Sequence, residues 1–397
     1  MNGESFARWL LGHAEIEVNG PSAWDIQVHN PALYSRVLAE GSLGLGEAYM
    51  DGWWDCEALD EFFHRIVRVD LGRKLEPTPA ALWLILSSKI LNRQSRNRVW
   101  QAAEVHYDLD VEVFEDTFDQ RLTGSCGYWA EATDLDGAQE AKLDLICRKI
   151  GLKAGQRVWD IGCGWGAFMG YAAERYHAEC VGVTVSEEQA RYGRVRYAHL
   201  PVEFQVKDYR NFEGEADHIV SMGMFEHVGA KNYRTYFETA RRALREGGLF
   251  VLHTIWANER NPSIEPWLNK YIFPNGVLPT VGQIGAAVEG LFVVEDVENF
   301  GADYDRTLIA WRTKFRSHWQ RIAQKHGERF CRMWDYYLSC CAGGFRSRRI
   351  SVGQFVLSPE GVPGGWRRPE TYRQAPRSSS HRPAAVGRRG RSPARQV

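Results

Sequence analysis

From about residue 138 the chain alternates helix-period and strand-period segments, and this pattern constrains the fold more than anything else in it. Residues 138–150 carry apolar side chains at helical spacing. Arg157–Ile161 is a short apolar strand run closed by glycines, and 167–175 is helical again. The series continues with strands at 180–185, 203–206, 216–222 and 248–254, and helices at 187–197 and 233–245. Short strands separated by helices of 10–15 residues predict βαβ units and a doubly wound parallel sheet of the α/β class. Right-handed crossovers bring the carboxyl ends of all such strands to one edge, where ligands bind.

The residues at those ends carry the chemistry. Val158 to Gly166 reads VWDIGCGWG, a G-x-G-x-G loop with an acid two positions before the first glycine. Glycines let the chain turn tightly after a strand and approach a ligand closely, a signal that dinucleotide binders share. No acid ends the next strand (GVTVS, Gly182–Ser186), which counts against NAD. Glu226 lies after the fourth strand in SMGMFEHVG, where an acid also suits a helix entry. His253 ends the fifth strand, and a lone histidine is more often a core residue than a catalyst. Cys126 sits upstream in SCGYW, where a cysteine is usually a small buried hydrophobe.

Charge is unevenly spread. The net charge of −1 comprises +7 from nine arginines and two glutamates after residue 358, and −8 on the rest. That stretch also holds six of the 15 prolines and few aliphatics, so it reads as a disordered and dispensable basic tail, 359–397. The longest apolar run, Ala80–Leu86, is seven residues, whereas a bilayer span needs about 20. No secretory leader pattern is visible at the N-terminus, and the eight cysteines form no C-x-x-C pair. These features predict a soluble cytoplasmic chain with reduced thiols. Residues 80–100 read as a helix with an apolar face beside Lys89, Arg93, Arg96 and Arg98, suited to a lipid surface or to packing between domains.

Together the motifs closely resemble those of cyclopropane-fatty-acyl-phospholipid synthases, within the mycolic acid cyclopropane synthase superfamily. The matching stretches are HYDL (His106–Leu109), SC-x-YW (Ser125–Trp129), DIGCGWG (Asp160–Gly166), GVTVSEEQ (Gly182–Gln189) and KDYR (Lys207–Arg210). They continue with GMFEHVG (Gly223–Gly229), LHTI (Leu252–Ile255), KYIFPNG (Lys270–Gly276), NFGADYD (Asn299–Asp305) and the 337–345 region. EGSLGLGE and YMDGWW, between residues 40 and 54, match the bacterial two-domain form. The match covers about residues 19–357.

The resemblance implies a class I S-adenosylmethionine-dependent methyltransferase fold, Rossmann-like, with a lipid-binding and dimerisation domain at 1–98 and a catalytic domain at 99–358. It implies methyl transfer to the cis double bond of a phospholipid acyl chain, leaving a carbocation whose deprotonation closes a cyclopropane. The site must exclude water, which would trap the cation, and aromatic faces stabilise it without reacting. Bound bicarbonate is the family's base, and its site carries over to Cys126, Glu226, His253, Ile255 and Tyr304. Cofactor contacts carry over to Tyr107, Ser125, Gly162, Cys163, Gly164, Thr184, Gln189, Asp208 and Tyr209. No metal and no nucleic acid is expected. The expected partners are the bilayer, touched peripherally at the inner face of the cytoplasmic membrane, and a second copy of the chain. Gly124 replaces an aromatic and Gly127 an alanine of relatives, which predicts a looser segment over the cofactor. Methyl-branched or hydroxylated products are the nearest alternative; a small-molecule methyltransferase or a non-catalytic binding protein is a more distant one.

Overall fold

The computed structural model describes residues 3–71, 110–260 and 264–369. The 80–100 helix, Tyr107 with the HYDL motif, and the boundary at residue 98 lie outside them. The N-terminal unit holds helices α1 (Gly3–Gly12), α2 (Ala32–Glu40), α3 (Ser42–Met50) and α4 (Leu59–Arg68), with a two-stranded ladder of β1 (Gln27–Val28) and β2 (Trp54–Asp55). After α5 (Val111–Glu115), helix α6 (Leu135–Lys149) starts at Asp134, whose carboxylate accepts from the Gly137 amide and satisfies an otherwise orphaned donor.

The alternating region then forms β3 (Arg157–Ile161), α7 (Ala167–Tyr176), β4 (Glu179–Thr184), α8 (Glu187–Arg196), β5 (Val202–Val206), β6 (Ala216–Met222), α9 (Tyr233–Ala243) and β7 (Leu244–Ala257). These five strands are mutually parallel, as their pattern predicts. Helices α10 (Pro266–Tyr271) and α11 (Val281–Val288) precede β8 (Val293–Asn299). Three more, α12 (Gly301–Ser317), α13 (Trp319–His326) and α14 (Glu328–Arg346), lead to β9 (Ile350–Ser358). The sheet order is β5-β4-β3-β6-β7-β9-β8, with β9 antiparallel to both neighbours. The sequence reading missed this last hairpin-like pair. Chain direction reverses its lateral course between β3 and β6, so the glycine loop after β3 opens at the switch point of the sheet.

The N-terminal unit is continuous with the helices beyond the sheet. Leu59, Phe62 and Phe63 of α4 share one buried core with Trp311, Trp334, Tyr336 and Phe345 of α12 and α14. Across this seam, buried Asp335 receives both Arg312 (2.8 Å from Nε) and the Tyr49 hydroxyl (3.1 Å). A buried carboxylate is tolerable only when its oxygens are paired in this way. Residues 359–369, predicted as the start of a disordered tail, instead lie against the sheet. Val362 and Trp366 pack on its core, the Trp366 indole donates to the Lys149 carbonyl, and Arg368 pairs with Asp296. Two large side chains were enough to dock a Pro- and Gly-rich stretch that composition alone assigns to solvent.

Candidate active site

A cavity of about 260 Å³ lies at the carboxyl edge of β3, β4 and β6. Gly162, Cys163 and Gly164 form one wall; Thr184, Gln189, Asp208 and Tyr209 form the next. Ser125 closes it from the upstream segment. These eight are the predicted cofactor residues within the described chain. The ninth, Tyr107, is not among those residues. Gly162 has φ +81°, and a Cβ there would come within 2.6 Å of the Met224 side chain, so loop and β6 end approach as only glycine permits. The Thr184 hydroxyl donates to Gln189 Oε1 (2.9 Å), which joins the end of β4 to the first turn of α8. Asp208 accepts from the Arg210 amide at 2.9 Å and pairs with its guanidinium, fixing the turn that carries Tyr209.

The lining also carries aromatic side chains: Phe114, Phe118, Phe273, Trp334 and Tyr337. The cavity therefore joins a polar, glycine-rich side to an apolar one, the usual make-up of a site for a small cofactor and a greasy substrate.

None of the five predicted catalytic residues lines the open cavity. They sit in the layer behind it, next to lining residues Ser125, Gly223 and His227. Glu226 enters a short 3₁₀ turn, and its Oε1 accepts from the Ile255 amide at 2.7 Å. Its Oε2 is buried without a hydrogen-bond partner among the described residues. Burial outweighs the bonds from Ile255 and Thr254 and lifts its carboxyl to about 7. His253, on β7, is held neutral by burial, its pKa well below the usual imidazole value. The Gln354 amide of β9 lies 3.5 Å from His253 Nδ1, and with that amide as donor the ring proton sits on Nε2. That Nε2 is also buried without a partner. Tyr304 packs against Phe345 with its ring tilted by 35°, and burial, with Tyr337, Cys126 and Glu226 nearby, pushes its phenol up. Burial likewise keeps Cys126 a thiol, so it is not an ionised nucleophile. A small anion carrying its own O–H satisfies both kinds of group, an unpartnered acceptor such as Glu226 Oε2 and an unpartnered donor such as His253 Nε2.

The segment carrying Ser125 and Cys126 is not loose, contrary to the expectation from Gly124 and Gly127. The Gln139 amide donates to the Ser125 carbonyl (2.8 Å) and Lys142 Nζ to its hydroxyl (2.8 Å). Thr307 accepts from the Gly127 amide, and Asp303 from that of Trp129. Gly127 tightens the contact: a Cβ there would stand 3.0 Å from Ala138 Cβ, where the Tyr128 amide now reaches the Ala138 carbonyl.

Sequence reasoning missed Lys142 and Asp160 as a pair. Lys142 is fully buried, and burial lowers its pKa to about 8 despite nearby Asp119 and Asp160. Asp160, the acid before the glycines, is raised to about 7 by burial, and both its oxygens lack a partner. A signal existed: Lys142 stands on the apolar face of α6 with Ala138, Ala141, Leu145 and Ile146, where a lysine has no solvent reason to be.

The family model described as mycolic acid cyclopropane synthetase matches residues 94–355. The chain is 48% identical over 366 residues to the cyclopropane-fatty-acyl-phospholipid synthase of Escherichia coli K12, covering 92% of this chain and 96% of that protein. It is 32% identical over 369 residues to the tuberculostearic acid methyltransferase UfaA1 of Mycobacterium tuberculosis, covering 86% and 85%. Among solved structures, the mycolic acid cyclopropane synthase CmaA1, complexed with SAH and CTAB, superposes with a TM-score of 0.61 at 31% identity. That alignment covers 65% of this chain and 97% of the other.

Proposed function

The chain belongs to the mycolic acid cyclopropane synthetase family, and from that premise we propose that it is a cyclopropane-fatty-acyl-phospholipid synthase acting on cis-unsaturated acyl chains. The single observation that carries the reading is that Glu226 and His253 each keep a buried polar atom without a partner among the described residues. Their free polar atoms sit buried behind a cavity that has a glycine-rich side and an aromatic side.

Residues on the polar side suit S-adenosylmethionine. The Gly162 turn admits no side chain, Thr184, Gln189 and Asp208 place hydrogen-bonding groups around the wall, and Asp160, buried two residues before Gly162, has no partner among the described residues. When bound, the cofactor supplies the methyl group from its sulfonium. The aromatic lining holds the acyl chain and excludes water, so that an acyl carbocation meets π-faces and not a hydroxyl donor. Glu226, His253, the Ile255 backbone, Tyr304 and the Cys126 region would hold bicarbonate, which would supply a base toward the transferred carbon. His253 Nε2–H would donate toward that anion. Glu226, whose carboxyl burial raises to about 7, would share a proton with it and so avoid setting two bare negative charges side by side. Cys126 and Tyr304 remain neutral and shape the site.

Among the described residues no helix is long and apolar enough to cross a membrane. We place the protein peripherally on the inner face of the cytoplasmic membrane, as a homodimer drawing acyl chains from the bilayer, with no nucleic-acid partner. The test is turnover on unsaturated phospholipid vesicles with S-adenosylmethionine and bicarbonate, the acyl products read by gas chromatography–mass spectrometry. A gain of one methylene per chain with cyclopropane fragmentation, lost in Glu226→Gln and His253→Ala, supports the reading. Methyl-branched or hydroxylated chains move it to the alternative product, and no lipid product from protein that binds SAH ends it.

A further inference from the structure

The wall of the cavity at Ile272, Phe273, Pro274 and Asn275 follows directly on α10, and α10 is gripped by the N-terminal unit. Glu47 of α3 is the grip. Its Oε1 accepts from Lys270 Nζ (2.5 Å) and from the Tyr271 hydroxyl (2.8 Å), both on α10. Its Oε2 accepts from Arg36 of α2 (2.5 Å), so one nearly buried carboxylate joins two helices of the N-terminal unit to α10. Three donors hold the carboxyl ionised against its burial, at about 2.

Shape reinforces charge. A Cβ on Gly46 would fall 2.4 Å from the Trp267 ring, so the indole lies directly on the α3 backbone. Trp267 Nε1 meets Met50 Sδ at 3.4 Å, and the ring packs 4.4 Å from that of Tyr336. The other end of the segment reaches the chemistry. Asn269 Oδ1 accepts from the Asn275 amide (3.0 Å), which folds the wall back on α10. The Val277 amide then donates to the Glu226 carbonyl (3.0 Å), and Phe273 faces His227 and Tyr337.

We propose that the N-terminal domain positions the acyl side of the active site, with Glu47 as the positioning residue that locks α10, the 272–275 wall and, through Val277, the Glu226 turn. The acyl assignment rests on the function proposed above; the mechanical link does not. Glu47 touches neither cofactor nor reacting atoms. Its removal withdraws the anchor of a wall that must pack along an apolar chain, so the defect falls on lipid use and spares the cofactor side.

Full-length Glu47→Gln and Gly46→Val test this by two routes, one removing charge and one wedging Trp267 away. Hydrogen exchange at the amides of 272–277 is the first readout. It should accelerate about tenfold or more in both variants, as expected for loss of a charge-assisted bond, while β7 and β9 exchange as in wild type. In vesicle turnover kcat/KM for phospholipid should fall about tenfold, with SAH affinity by calorimetry within twofold of wild type. Glu47→Asp, which keeps the charge, should recover part of the loss. Unchanged exchange at 272–277, or exchange and SAH affinity that worsen everywhere together, overturns the proposal. A wild-type protein that binds SAH but yields no lipid product, with the exchange effect present, would instead refute the function and leave the positioning role standing.

Discussion

Replacing Lys142 by methionine should make the protein more stable at neutral pH while weakening its cofactor site. Lys142 is sealed on α6, and among the described residues its ammonium bonds the Ser125 hydroxyl and, weakly, Met222 sulfur at 3.7 Å. Burial lowers its pKa from 10.5 to about 8, so holding the charge in the folded state costs ~3 kcal/mol. The sign follows from proton counts. Between pH 8 and 10.5 the unfolded chain binds the proton and the folded chain has lost it, so this group makes stability rise with pH across that window. Below pH 8 both states are charged and the full penalty stands. Methionine removes it, at an offset of ~1 kcal/mol for the hydroxyl left without its donor and for Asp160 left without a nearby cation. The variant should therefore gain ~2 kcal/mol at pH 7, and the gain should shrink steadily toward pH 10.5. Urea denaturation of both proteins from pH 6.5 to 10.5 measures this difference, in which groups common to the two cancel. SAH affinity at pH 7.5 should drop about tenfold, because Ser125 itself loses one of its two hydrogen bonds to α6. A variant less stable than wild type at pH 7, or a difference flat with pH, would refute the argument from burial.

The same reasoning applies to Glu226, whose carboxyl is raised to about 7 by burial. Its ionisation destabilises the fold increasingly from pH 4.5 upward, so Glu226→Gln should gain up to ~3 kcal/mol relative to wild type at pH 8 and nothing at pH 4, while turnover falls at least about 100-fold. Gly162→Ala forces a side chain into a φ of +81° and onto Met224; calorimetry should find SAH binding lost before the urea midpoint moves by half. Truncation after Ser358 removes the Trp366 and Arg368 contacts and should cost ~2 kcal/mol, whereas truncation after Pro369 retains them and should leave the midpoint in place. Equal midpoints for the two truncations would show that the 359–369 strap adds nothing.

Much of the catalytic half was legible because its signals are local. Alternating periods mark strands and helices, and parallel strands leave their carboxyl ends together, so the GCG loop, Glu226 and His253 could be assigned to one edge from the sequence, whereas Thr184 and Asp208 came from the family resemblance. The β8–β9 pair was not legible. Residues of strand β9 lie 93 or more positions beyond their partners on β7, and the segment has no flanking βα rhythm to announce it. Its Gln354, which orients His253, was therefore invisible as well. The strap at 359–369 was misread for the complementary reason: average composition says how much apolar surface a segment has, not whether a single tryptophan finds a slot.

The sequence by itself determined the fold class, the edge where ligands bind and the family, since these depend on period, turn glycines and motif order. Tertiary structure alone decided the electrostatics. Whether Glu226 and Asp160 are charged, whether Lys142 is a surface ammonium or a sealed one, and whether Glu47 faces water or three donors all depend on desolvation and on neighbours distant in the chain. Those are properties of three-dimensional surroundings, and no linear pattern encodes a dielectric.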